Sequence, residues 1–269
     1  MSADCSPSRL RRRRHLASAL LIILLAPLPA PLSAAEDDTR ADAGPRVLAW
    51  EGAPEGVTRI RLRAGNGAAR IHAIDGEEIR IRLRLAKGRW TDDEPWRGIL
   101  AWFSRSDFEN DDLLERAVEL QVQQRGSVLE VNPLPHGRSR ESRIAEYWEL
   151  DVPRHSAIEI AMDAAEIEVS GVEGGVELDL GHGEAVVDVP RGPLDLKVTV
   201  GELDARFREG DFGQLSLASR VGDTRLWLNG SRVRYPGPPG PGSRIAIDGD
   251  GPDPLRLRVE VGDATLRVH

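Results

Sequence analysis

From about Arg46 onward, apolar and charged residues alternate almost one for one. Ile60 and Leu62 are interleaved with Arg59, Arg61 and Arg63, while Ile79, Ile81, Leu83 and Leu85 enclose Arg80, Arg82 and Arg84. The same rhythm returns at Val176, Leu178 and Leu180, and again at Leu255, Leu257, Val259 and Val261. A period of two sends successive side chains to opposite sides of an extended backbone, so one face can be buried and the other wetted. Sustained helical periodicity is nearly absent. The chain is therefore expected to be all-β.

The second half also repeats. Turns built on glycine and an acid recur at Gly183-Glu184, Gly201-Glu202, Gly222-Asp223 and Gly262-Asp263, with a degenerate copy at Ala165-Glu166. Acid-to-acid spacings of 18, 18, 21 and 40 residues read as units of about 20, the last interval being two units with one turn lost. Each unit is strand, turn, strand: Leu194 to Val200 then Leu203 to Phe207, Leu215 to Val221 then Thr224 to Leu228, Leu255 to Val261 then Ala264 to Val268. A fixed period of this size predicts a single-domain β-solenoid-like stack. An antiparallel β-sandwich made of the same hairpins is the alternative.

Residues 1–35 read as a secretory leader: Arg9 and Arg11 to Arg14, an apolar run from Leu16 to Ala26, then Ser33-Ala34-Ala35. Pro27, Pro29 and Pro31 interrupt the run before it reaches the roughly 20 apolar residues a membrane-spanning helix needs. Cleavage after Ala34 or Ala35 would leave an exported chain of net charge −12 without cysteine, since Cys5 leaves with the leader. Residues 36–54 are expected to be a flexible N-terminal segment and 55–269 the β-repeat domain. The acidic balance argues against a nucleic-acid partner, and the lone cysteine excludes a disulfide framework.

Two stretches break the rhythm and read as insertions, at about 86–116 and 231–254. The first holds Trp90, Trp96, Trp102, Phe103 and Phe108 among acids; these rings suit either a cap on an open stack end or an aromatic patch for a partner or glycan. The second contains Pro-Gly-Pro-Pro-Gly-Pro-Gly, which can only be a loop.

The Val-Gly-Asp/Glu turns, Leu150-Asp151-Val152-Pro153-Arg154 leading into Ile158-Glu159-Ile160, and Gly65-Asn66-Gly67 with Ile71 together resemble the bacterial "putative adhesin" domains, toastrack-like β-repeat proteins of the cell envelope. The resemblance covers roughly residues 55–268 and implies a coiled, solenoid-like β fold at the envelope. It carries no catalytic residues to transfer.

Chemistry is sparse. No His-Glu-x-x-His, Gly-x-Ser-x-Gly, Walker or dinucleotide-binding pattern occurs. The many carboxylates of the repeats occupy the wet positions of strands, where solvation is the default. Asp248, Asp250 and Asp253, spaced by glycines, could offer hard oxygen ligands to Ca²⁺, though they fail the EF-hand pattern; no other cofactor is indicated. Charge is polarised: residues 46–90 carry net +5 and residues 158–204 net −10. Arg59, Arg61, Arg63, Arg80, Arg82 and Arg84 could form one arginine face for an anionic ligand, or pair across strands with carboxylates of the same molecule. The expected function is a non-catalytic, adhesin-like binding or interaction module for an envelope component or protein partner. The alternatives are a polysaccharide-active enzyme on a β-helix and a self-associating structural protein of the envelope.

Overall fold

The structure is a computed structural model and describes residues 47–87, 118–135, 144–209, 211–233 and 242–269. Residues 1–35, expected to be a leader, the aromatic residues at 90–108 and the Pro-Gly stretch at 236–241 lie outside the described residues. In chain order the strands are β1 (Val47–Gly52), β2 (Arg59–Ile74), β3 (Ile79–Lys87), β4 (Val118–Arg125), β5 (Val128–Pro135), β6 (Ile144–Pro153), β7 (Ala157–Ser170), β8 (Val176–Val189), β9 (Leu194–Phe207), β10 (Phe212–Val221), β11 (Thr224–Leu228), β12 (Ser231–Val233), β13 (Ser243–Asp248), β14 (Asp253–Val261) and β15 (Ala264–Val268).

Strands β7, β8 and β9 are successive circuits of one coil. They pair parallel and in register, with Ile158 beside Val176 and Val176 beside Leu194, one circuit every 18 residues. Halfway round each circuit the chain turns a corner, so its first half lies in one layer and its second half in another. The apolar members of the alternation point into the space between the layers. Ile158, Val176, Leu194, Leu255 and Leu215 form one inward column, and Val169, Val187, Ala205, Leu266 and Leu226 form another across from it, all nearly inaccessible to water. Burying each large aliphatic side chain is worth about 1.5–3 kcal/mol, which is why the alternation dictates this arrangement.

The stack is not built in chain order. At one end β2 lies between β7 and the later pair β5 and β6, parallel to all three. At the other end β14 and β15 lie against β9, and the earlier β10 and β11 lie outside them. Antiparallel strands close both ends: β4 on β5, β3 and β1 beyond β6, β13 on β10 and β12 on β11. The all-β solenoid-like stack is thus observed, and antiparallel pairing is confined to its ends.

Two sequence expectations are corrected. Residues 36–54 are not flexible throughout, because β1 pairs with β3 and packs Leu48 and Trp50 against the core. Nor is the 40-residue interval two stacked units short of a turn. It holds β11, then the end-closing strands β12 and β13, then β14, which returns beneath β10. Residues 231–254 therefore contain end-closing strands rather than a plain insertion.

Glycine is required by the stacking at every rung of the corner column but one, the exception being Ala165, whose φ is not positive. Gly67, Ala165, Gly183, Gly201, Gly262 and Gly222 lie one above another. Gly201 has φ +142°, and a Cβ there would lie 1.7 Å from the carbonyl oxygen of Gly183. With that backbone, a side chain at Gly201 would leave no room for the two corners to approach so closely.

Candidate functional site

The corner separates the six predicted arginines. Arg59, Arg61 and Arg63 precede it on β2 and project from the first layer; Arg80, Arg82 and Arg84 on β3 project from the second, because β3 pairs with β6 and β6 with the later half of β2. They form two patches, not one face.

Most of these arginines already meet carboxylates. Arg61 lies 2.7 Å from Glu159 and 3.3 Å from Glu130, its neighbours on β7 and β5, and the hydrogen bond to Glu159 leads in raising its pKa above the ordinary value. Arg59 reaches Glu159 at 3.8 Å. Arg80 is held between Glu78 and Glu51, and Arg82 and Arg84 share Glu149. Arg84 also stands over the Tyr147 ring at 4.7 Å from its centroid, a cation–π contact. Arg63 has no ion-pair partner among the described residues. Cross-strand pairing, the plainer expectation, thus describes how most of these side chains sit.

On the second layer the outward side chains of β2, β3 and β6 surround a shallow, open depression. Arg70, His72, Arg80, Arg82, Glu149 and Asp151 line it with Leu150. Arg70 donates to Glu168 at 2.9 Å, and His72 Nδ1 lies 3.0 Å from Ser170 Oγ. The register explains the grouping: Arg70 lies beside Glu149, His72 beside Asp151, Arg80 beside Asp151 and Arg82 beside Glu149. The result is a polar floor with guanidinium donors and carboxylate acceptors interleaved. Arg70 and His72 carried no motif, and only their strand register brings them here.

The carboxylates with raised pKa lie elsewhere. Glu146 is pushed up by burial, while its carboxylate accepts hydrogen bonds from Trp148 Nε1 at 3.0 Å and from the Gly65 amide. Glu166 is pushed up by burial and by the neighbouring charge of Glu184, one rung away in the corner column.

The three aspartates do not converge. Asp248 projects from β13 beside Gln214, Asp250 is exposed in the following turn, and Asp253 Oδ2 accepts the Gly192 amide at 3.0 Å. Among the described residues no group of three or more His, Cys, Asp or Glu is placed to hold a metal ion. Trp90, Trp96, Trp102 and Phe103 lie outside the described residues.

No family model and no curated protein matches the chain. Among solved structures it is similar to a "putative cell adhesion protein" from Clostridium sporogenes, with 13% identity and TM-score 0.48 over 84% of this chain and 100% of that one. It is also similar to a "putative adhesin" from Bacteroides fragilis (10% identity, TM-score 0.27, 83% of this chain and 97% of that one). A third, from Parabacteroides distasonis, has 10% identity and TM-score 0.26 over 84% of this chain and 98% of that one. The second and third of these bear the name "putative adhesin".

Proposed function

We propose that the chain is an exported, non-catalytic binding module of the cell surface, adhesin-like in role, and that the depression on the second layer is where it engages an envelope component. The observation that carries this reading is the mixture of groups there: Arg70, Arg80 and Arg82 beside Glu149 and Asp151. Guanidinium forks suit a ligand carboxylate, and side-chain carboxylates accept hydroxyl protons. A saccharide bearing both groups, as in a uronic-acid polymer, meets each with its complement. The rigid stack beneath holds these side chains in fixed register, which limits the ordering a ligand must impose. Among the described residues no helix is long and apolar enough to cross a membrane.

The test is retention on immobilised alginate, a carboxylated polysaccharide. Replacing Arg80 and Arg82 by Ser should reduce retention at least tenfold while the far-ultraviolet spectrum stays that of a β protein. Retention equal to that of the unaltered protein would sink the reading.

A further inference from the structure

Outward arginines on this stack are regularly met by a carboxylate from an adjacent strand: Arg61 by Glu159, Arg70 by Glu168, Arg225 by Asp263 and Arg267 by Asp204. The first layer departs from that rule singly at Arg63 and, as a group of three, at its far end. There β14 carries Arg256 and Arg258, and β13 carries Arg244, all exposed. None of the three has an ion-pair partner among the described residues. The strand between them, β10, places Ser216 and Ala218 in line, since Arg256 lies beside Ser216, and Arg258 and Arg244 flank Ala218. On the other side, Arg258 lies directly beside Lys197 of β9.

Like charges in directly opposed cross-strand positions are destabilising. Lys197 turns away to Asp179 at 3.1 Å, which leaves the three guanidiniums around a floor of two small side chains. Strand spacing puts Arg258 and Arg244 about 10 Å apart, and Arg256 and Arg258 about 7 Å apart. Two carboxylates border the group, Asp195 beside Arg256 and Asp248 beside Gln214, and the pair Arg220 to Glu260 closes its flank. The sequence carries a net charge of −8, so this bare cluster stands against the sign of the whole chain.

We infer that Arg244, Arg256 and Arg258 form a second binding site, separate from the depression, for a polymer bearing successive phosphate groups. Two anionic groups several ångströms apart can each be met by a guanidinium fork, and the Ser216 hydroxyl supplies a further donor on the floor. Arginine suits this task because its planar fork binds phosphate oxygens bidentately. The small side chains of β10 let such a polymer lie close against the sheet. The proposal does not depend on the uronic-acid reading, which concerns the other layer.

Inorganic tripolyphosphate is the probe, titrated calorimetrically into the protein at low salt. Binding should weaken at least tenfold in the variant R244S/R256S/R258S and be unchanged in R267S, whose arginine is held by Asp204 on the other layer. A second variant, Ala218→Glu, puts a carboxylate between Arg258 and Arg244; it should abolish binding with all arginines present and without lowering the melting temperature. Affinity that survives Ala218→Glu, or an unaltered protein that binds neither tripolyphosphate nor anionic vesicles, overturns the site. Vesicles containing phosphatidylglycerol distinguish the source of phosphate. Retention on vesicles without tripolyphosphate binding would overturn a polymer ligand in favour of a lipid surface.

Discussion

At the scale of single residues, the corner column shows how narrowly some positions are determined. Gly201→Ala combines a left-handed backbone with a Cβ placed 1.7 Å from a carbonyl oxygen. The neighbouring rungs are backbone too and cannot yield as a flexible side chain would. The expected loss is about 3 kcal/mol or more, or a fall in melting temperature of about 10 °C for a domain of this size, read by calorimetry. The glycines were legible in the sequence as turn residues with φ > 0. Their stacking was not, because the need for close approach arises between residues 18 or more positions apart. The same gap explains the arginines. Alternation showed that Arg61 and Arg82 point to water, but which layer each occupies depends on a corner inside β2 and on the pairing of β3 with β6.

At the scale of elements, a strand's neighbours matter more than its own sequence. Glu166, Glu184 and Glu202 fall in one column because β7, β8 and β9 are in register. Burial and the charge of Glu184 raise the Glu166 pKa in the folded chain above its unfolded value. The folded state therefore binds more protons in that window, so stability falls as pH rises from the unfolded pKa through the folded one. At neutral pH the ionised group is a net cost. Glu166→Gln should raise the melting temperature at pH 7, with the gain vanishing as pH falls well below the ordinary glutamate value of 4.5, where the native residue is protonated in both states. Equal melting temperatures for the two proteins at pH 7 would show that solvent screens the column. The repeat unit was visible in the sequence as strand, Gly-acid turn, strand. The strands that close the ends were not, since β12 and β13 are short and fall where the repeat rhythm breaks.

At the scale of the molecule, stability in such a stack is passed from rung to rung. Leu257 on β14 is buried between Leu196 of β9 and Leu217 of β10. Leu257→Ala should cost about 2–5 kcal/mol. Hydrogen exchange should show the amides of β10 losing protection together with those of β14, while β7 and β8 keep theirs. Unchanged protection in β10 would mean that it does not depend on β14 as the pairing requires.

The placement of β14 and β15 between β9 and β10 also bears on how the molecule is made. A chain emerging N-terminus first can wind β7, β8 and β9 onto one another as they appear, but β10 has no native parallel neighbour until residues some 40 positions later arrive. Until then a slot one rung wide stands open beside β9. Because every rung carries the same apolar alternation, that slot can be filled too early by β10 or by the corresponding segment of a second molecule, giving a swapped pair. Prompt delivery of the last rung thus decides between a closed monomer and an entangled one.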